Sequence, residues 1–461
     1  MAEQDELAAL RAENAALRAE TAQLRADLSA ALDVIAHLEE RVAELEQRRP
    51  PPPPFVRANT PGPKKEHPRK RRARRHNAGR RREEPTRVVL HALEHCPDCG
   101  YLLRGRSVAR TRQIVDLPEP AAPVVTEHRF LKRHCPACGR WHTPRPDWGG
   151  QALGQGRFGP RLVSLVAYLR SRARLPLAVI QEVLRSLYGL RLSVGALVSL
   201  LGRLQREAQP EQEALRAAVR TSPVAHMDET GWREDGQNGY VWALATPGPD
   251  AVRYYAYDRS RAGTVATRLL DGFAGVLGTD FYGAYNRYAG RHQRCWAHLL
   301  RDLHALKEEH ASDPAVVAWA QEVRALYDEA QERLRDPTPL AGAQRDALYR
   351  RLEERAHTLG LRHAGRANKA HPCYALCHRL LRHQGELFQF VRVPGVAADN
   401  NLAERCLRPR VVTRKISGGT RSPAGSRTRF GLDSLFETWH ARGLNPFQEC
   451  LALLHSRLPQ T

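Results

Sequence analysis

Long apolar runs are missing from this chain of 461 residues, and its first residues are charged and polar. A membrane span needs roughly 18 consecutive apolar residues, so neither a span nor a secretory signal is expected, and the chain is placed in the cytoplasm. Lysine is scarce, at seven of 72 basic residues. So strong a lean to arginine, beside abundant alanine, can reflect genome composition; it explains the choice of arginine but not the net charge of +22. A disulfide framework is also disfavoured, because the nine cysteines are odd in number and four of them fall in C-x-x-C knuckles. Metal binding in a reducing compartment fits better. What is present is enough for a core, with 42% hydrophobic residues and length for two to four domains. A pI near 10.1 points to a polyanionic partner, nucleic acid first.

Residues 1–49 carry heptads, with Leu7, Asn14, Thr21, Leu28, Ile35 and Val42 at one seam position and Leu10, Leu17, Leu24, Ala31, Leu38 and Leu45 at the other. The pattern predicts a coiled coil that makes the chain a homodimer, against the plainer reading of a solvated helix. Flanking charges suit parallel and antiparallel pairs alike, and Asn14 favours parallel, where its twin can satisfy it. Residues 50–86 read as a disordered basic linker: Pro50 to Pro54 break the helix, and residues 57–82 hold twelve basic residues against Glu66 alone. Its run of Arg69, Lys70, Arg71, Arg72, Arg74 and Arg75 can grip phosphates without reading sequence, or be a merely solvated segment.

Residues 87–148 hold two matching knuckles, Cys96-Pro-Asp-Cys99-Gly and Cys135-Pro-Ala-Cys138-Gly, between which Thr111–Val115 and Val124–Lys132 read as strands. Four thiolates at this spacing suit one tetrahedral zinc, with Gly after each second Cys permitting the turn. His95 and His134 read as neighbours of the knuckles and not as ligands. Residues 149–220 predict three helices: Arg161–Arg172, Leu177–Tyr188 and one capped by Ser193. The turn at Gly189 makes a helix-turn-helix possible, with Val194–Arg203 in a major groove; a plain packing module is the alternative.

Residues 221–298 predict strand, strand, strand, helix, strand, hence a mixed sheet; residues 299–398 predict helices without a strand. Asp228 and Asp280 each end an apolar stretch, and Glu404 opens a helix for which Asp399 is the cap candidate. Converging carboxylates at strand and helix ends suggest a divalent-metal site acting on phosphate. Glu229, adjacent to Asp228, would point to the opposite face of a strand. Arg405, Arg408, Arg410, Arg414 and Lys415 follow Glu404 and are placed to hold substrate phosphates, or form a solvated basic face.

These residues, with Cys-Trp-Ala-His at 295–298 and the closing Ala-Arg-Gly-Leu-Asn-Pro-Phe-Gln at 441–448, resemble bacterial transposases of the insertion sequence sixty-six family over nearly the whole chain. The resemblance implies a DDE domain of ribonuclease H-like fold over 221–298 and 399–440, interrupted by the helical insertion and followed by a C-terminal element over 441–461. It implies Mg²⁺ or Mn²⁺ held by Asp228, Asp280 and Glu404, and double-stranded DNA, both element ends and target, as substrate. Accessory transposition proteins are further possible partners. Two other functions stay open: a zinc-dependent DNA-binding regulator without catalysis, and a ribonuclease H-like nuclease. A second metal site near His371, Cys373, Cys377 and His378 is weighed against ordinary core and surface positions, which are preferred.

Overall fold

The computed structural model describes residues 17–41 and 84–457, except 19, 26, 30, 36, 39–40, 106, 109–110, 118–121, 145–150 and 153–155. The basic run from Arg69 to Arg75, and the heptad positions before Leu17 and after Arg41, lie outside the described residues. Two units are distinguished, Met1–Asp116 and Leu117–Thr461.

In the first unit the described residues between 17 and 41 are helical, forming α1. Its seam residues Leu17, Leu24, Leu28, Ile35 and Leu38 are each half exposed or more. The unit also contains the first knuckle, in which Gly100 adopts φ 71° and donates its N–H to the Cys96 carbonyl at 2.9 Å. The second knuckle, in the other unit, has the same turn: Gly139 at φ 67° donates to the Cys135 carbonyl at 2.9 Å. Glycine is required there because other residues rarely adopt that left-handed geometry.

The strands expected over 111–115 and 124–132 do not form. Ile114, Val115, Val124 and Val125 are strongly exposed, and the described residues offer them no partner strand. β-propensity reflects packing on a half-buried surface, which is lacking here. The only strands of this region among the described residues are β1 (Arg133–His134) and β2 (Trp141–His142), paired antiparallel.

Helices α2 (Pro160–Ser171), α3 (Leu177–Tyr188) and α4 (Val194–Glu207) follow the expected pattern, and α5 (Gln209–Thr221) is a fourth where three were expected, set off from α4 at Ala208. Gly189, at φ 65°, ends α3, and the Ser193 hydroxyl accepts the Ala196 N–H at 3.1 Å to start α4. The apolar stripe Leu197, Leu200, Leu201 and Leu204 buries α4 at the spacing that one helix face dictates.

The sheet runs β5 (Arg253–Asp258), β4 (Gln237–Ala245), β3 (Val224–Glu234), β6 (Val276–Thr279), β7 (His292–Arg294). The first three strands are antiparallel and the last two join in parallel. Asp235 and Gly236, both at positive φ, make the two-residue turn between β3 and β4. Alternation splits the side chains: Met227, Trp242 and Leu244 face a core shared with α2–α5 and with α6 (Gly263–Leu269), whereas Val241 and Ala243 face Cys406 and Leu407. Fully burying a side chain such as Trp242 contributes about 2–3 kcal/mol.

Five helices then form a second core around Trp296 and Trp319: α7 (Trp296–Glu309), α8 (Pro314–Arg335), α9 (Gly342–Leu361), α10 (Tyr374–Leu387) and α11 (Gln389–Arg392). The chain returns to the sheet through α12 (Asn401–Ser417) and α13 (Pro423–Ala441). Finally α14 (Pro446–Arg457) buries Cys450 and Leu454 in the core shared by the sheet and α2–α5.

Candidate active site

Parallel pairing of β3 with β6 sets His226 opposite Gly278. Continued by two residues, that register brings Asp228 level with Asp280, just past the end of β6 and with the same parity. Asp228 also pairs directly with Ala243, whose side chain packs against Cys406 and Leu407 of α12. The face that Asp228 shares is therefore the one onto which α12 lays its first turn, and Glu404 is in that turn. Glu229 points the other way, accepting bonds from Arg261 (2.7 Å) and from the Tyr285 hydroxyl.

Electrostatics register the convergence. Burial pushes the Asp228 carboxyl up to about 8, reinforced by the charges of Glu229, Asp280 and Glu404, while the Glu229 N–H opposes the shift. Burial likewise raises Glu229, against the lowering bonds from Tyr285 and Arg261. A set of hard oxygen donors whose central member is pushed up by burial and by neighbouring acids fits a divalent cation.

Backbone hydrogen bonds fix the two aspartates. Asp228 Oδ1 accepts the Glu229 N–H at 2.9 Å, and Asp280 Oδ1 accepts the Tyr282 N–H at 2.9 Å. Asn400, the residue before α12, does not cap the helix with its side chain; its amide donates to the Met227 carbonyl at 3.0 Å and its Oδ1 meets His226 Nδ1 at 3.1 Å. Asp399, the expected cap, instead accepts the Asn401 N–H at 3.0 Å, one residue early. The entry to α12 is thus tied to β3 beside Asp228.

The sequence reading missed β7, which is three residues long, and with it Arg294. This fully buried guanidinium donates to the Asp280 carbonyl (3.0 Å), Thr279 Oγ1 (3.2 Å), Asn286 (2.6 Å) and Glu386 (2.5 Å). It locks the Asp280 turn to α10. A lone arginine between a glycine turn and Cys295 gave no periodic signal to find it by.

Arg410 requires a correction. It was expected to hold phosphate, but it is completely buried, paired with Asp433 (3.0 Å) and Glu437 (2.9 Å), and lies over the Tyr255 ring. The reason is helical spacing: Ala403, Cys406, Leu407, Arg410 and Thr413 are the buried stripe of α12, whereas Arg405, Arg408 and Lys415 lie on its exposed face. Arg414 is half-buried and donates to the Gly231 carbonyl, joining α12 to β3.

A cleft of about 1540 Å³ opens between α4, β5 and the start of α13. Its wall includes Val198 and Ser199 from the expected recognition face, and the exposed Arg203, Arg206, Arg421 and Arg427. These arginines also went unnoticed in the sequence, because they come from segments more than 200 positions apart.

In the first knuckle, backbone N–H groups of Asp98 and Cys99 hold the Cys96 thiol below its usual value; in the second, those of Cys138 and Ala137 do the same for Cys135. Such donors favour thiolate, the metal-binding form. His142 Nε2 lies 3.7 Å from Cys138 Sγ. His95 bridges to Leu102 and His134 packs on Trp141. No helix among the described residues is long and apolar enough to cross a membrane.

Comparison with known proteins gives two family matches: "Transposase IS66 family" over residues 155–428, and the zinc-finger binding domain of transposase IS66 over residues 94–139. The second span contains all four knuckle cysteines, which supports zinc binding. Two curated relatives from Sinorhizobium fredii, the uncharacterized proteins y4qI and y4jD, are each 27% identical, over 62% and 56% of this chain. The alignments span 57% and 55% of those relatives' own lengths.

Proposed function

The chain belongs to the IS66 family of transposases, and from that premise we propose that it binds the terminal inverted repeats of an insertion sequence, cuts the DNA ends and joins the freed 3′ hydroxyls to target DNA. The observation that carries this reading is the meeting of Asp228 with Asp280 and Glu404 on one face of the sheet, with the Asp228 carboxyl pushed up by burial and then by its acidic neighbours. A sheet whose first three strands are antiparallel, and whose next two add in parallel beside the first, supports a ribonuclease H-like catalytic domain.

Asp228, Asp280 and Glu404 would hold Mg²⁺ or Mn²⁺, which when bound activates water or a 3′ hydroxyl and stabilises the leaving oxygen. The chain's own residues keep the three carboxylates in register. Asn400 binds α12 to β3, Arg294 fixes the Asp280 turn, and Arg410 anchors α12 to α13 two turns beyond Glu404. Exposed Arg408 and Lys415, with the cleft arginines 203, 206, 421 and 427, would hold the phosphate backbone. Cys96, Cys99, Cys135 and Cys138 hold structural Zn²⁺ in this reading, and the exposed seam of α1 pairs with a second copy. The fuller partner set, with target DNA and accessory proteins, belongs to the same reading, as does action in the cytoplasm.

The test is cleavage of a duplex bearing the element's end in Mg²⁺. Asp228→Asn, Asp280→Asn and Glu404→Gln should each lose cleavage while binding the duplex as the parent does. Parental cleavage by any one of them removes that residue from the site. Retained DNA binding without cleavage by the parent protein favours the non-catalytic regulator, and preference for an RNA strand favours the nuclease.

A further inference from the structure

Cys295, His298 and Glu404 bring a thiol sulfur, an imidazole nitrogen and a carboxylate oxygen within 4.8 Å of one another. Two of these atoms are buried and have no hydrogen-bond partner: His298 Nδ1 and Glu404 Oε1, facing each other at 3.9 Å. The third is set among donors. Cys295 is the residue before α7, and the N–H of Asn400 reaches its sulfur at 3.1 Å, with the N–H groups of Ala297 and His298 also facing it. Burial holds the Cys295 thiol above its usual value, unlike Cys96 and Cys135, and these N–H groups oppose that shift; a cation at the sulfur would complete what they begin.

We propose that Cys295, His298 and Glu404 form a second metal site, distinct from the four-cysteine site, that takes one ion of the zinc class. Sulfur and imidazole select a softer ion than Mg²⁺, and a three-ligand set leaves one position open for water or a phosphate oxygen. Ligand atoms around tetrahedral zinc lie roughly 3.3–3.8 Å apart, so closing the cluster needs shifts of about 1 Å or less. The helical geometry makes the pair local: residues three apart at the start of α7 share one face. Glu404 arrives from α12, whose entry is held to Cys295 by the Asn400 N–H. The occupied site therefore engages one Glu404 oxygen. On the proposed catalytic reading, zinc at this position competes with Mg²⁺ for Glu404 and slows cleavage.

The test is the zinc content of the purified full-length chain after loading and exhaustive dialysis, measured by elemental analysis. Two ions per chain are expected in the parent and one in His298→Ala, in Cys295→Ser, and in a variant lacking Cys96 and Cys99. A cobalt-thiolate absorption band that persists without the four knuckle cysteines, and disappears on adding Cys295→Ser, is the second expected result. His298 is partly exposed, so its variant is the safeguard if the buried Cys295 change unfolds the chain; thermal melting identifies that case. One ion in the parent, or an unchanged content in His298→Ala, overturns the site and leaves His298 and Glu404 a simple polar pair. Metal content is read without DNA, so its failure is separate from failure of the catalytic reading.

Discussion

Helix α12 joins two charged clusters of opposite design. At its first turn Glu404 meets Asp228 and Asp280, where burial and then the neighbouring acids push the Asp228 carboxyl up. Two turns later Arg410 enters a balanced cluster in which each acid meets two arginines: Asp433 with Arg410 and Arg429, and Glu437 with Arg410 and Arg172, at 2.9–3.3 Å. Both are buried or nearly so, and both sit between α12 and the sheet. The balanced cluster is complete without any ligand. The acidic one is costly until a cation arrives, which on the proposed reading separates a structural network from a catalytic site.

Breaking the acidic cluster should have the largest effect on function. Asp228→Asn or Asp280→Asn lowers end cleavage by about a hundredfold or more, since each removes a carboxylate that would position catalytic metal. Single-turnover cleavage on a labelled duplex measures it. Breaking the balanced cluster should instead cost stability. Arg410→Ala leaves Asp433 with Arg429 alone and Glu437 with Arg172 alone, and breaks a fully buried ion pair, at about 3 kcal/mol in denaturant unfolding; a loss confined to DNA binding with unchanged unfolding would restore its discarded role at phosphate.

The pH dependence of folding sharpens the contrast. A carboxyl raised to about 8 in the folded chain contributes stability that is fully present below the unfolded value near 3.8 and lost as pH rises through 8. Asp228→Asn should therefore leave melting unchanged near pH 4 and raise stability near pH 9, by on the order of a few kcal/mol. Mg²⁺ should stabilise the parent at high pH and the variant much less. The smallest effect is expected in the cleft: Arg203→Ala or Arg421→Ala should weaken DNA binding across sequences and lower the salt slope by about 0.9 each. An unchanged slope would move the DNA path elsewhere.

The sequence made much of this legible. The helices of the 160–207 segment, the order of strands and the all-helical stretch before α12 follow from periodicity and caps, because those signals are local. Asp228 and Asp280 stood out at the ends of apolar stretches and Glu404 at a helix start, although Asp228 lies in the middle of β3 and not at a strand end. What local pattern misjudged has a common cause. Residues 111–115 and 124–132 have strand-like composition but no partner strand among the described residues, β7 is too short to carry a period, and Arg410 looks like every other arginine in its run until the helix is phased against Phe430 and Tyr255.

By itself the sequence determined the knuckle turns, through the two glycines at positive φ; the buried faces of the helices, through spacing; and the mixed sheet, through the alternation of its strands. Tertiary structure alone decided which charges meet. Parallel pairing of β3 with β6 brings together acids 52 positions apart, and the return of α12 after the insertion adds a third from 124 positions further on. The same return sets Glu404 beside Cys295 and His298. Coulomb interactions depend on distance in space, and only packing fixes that distance.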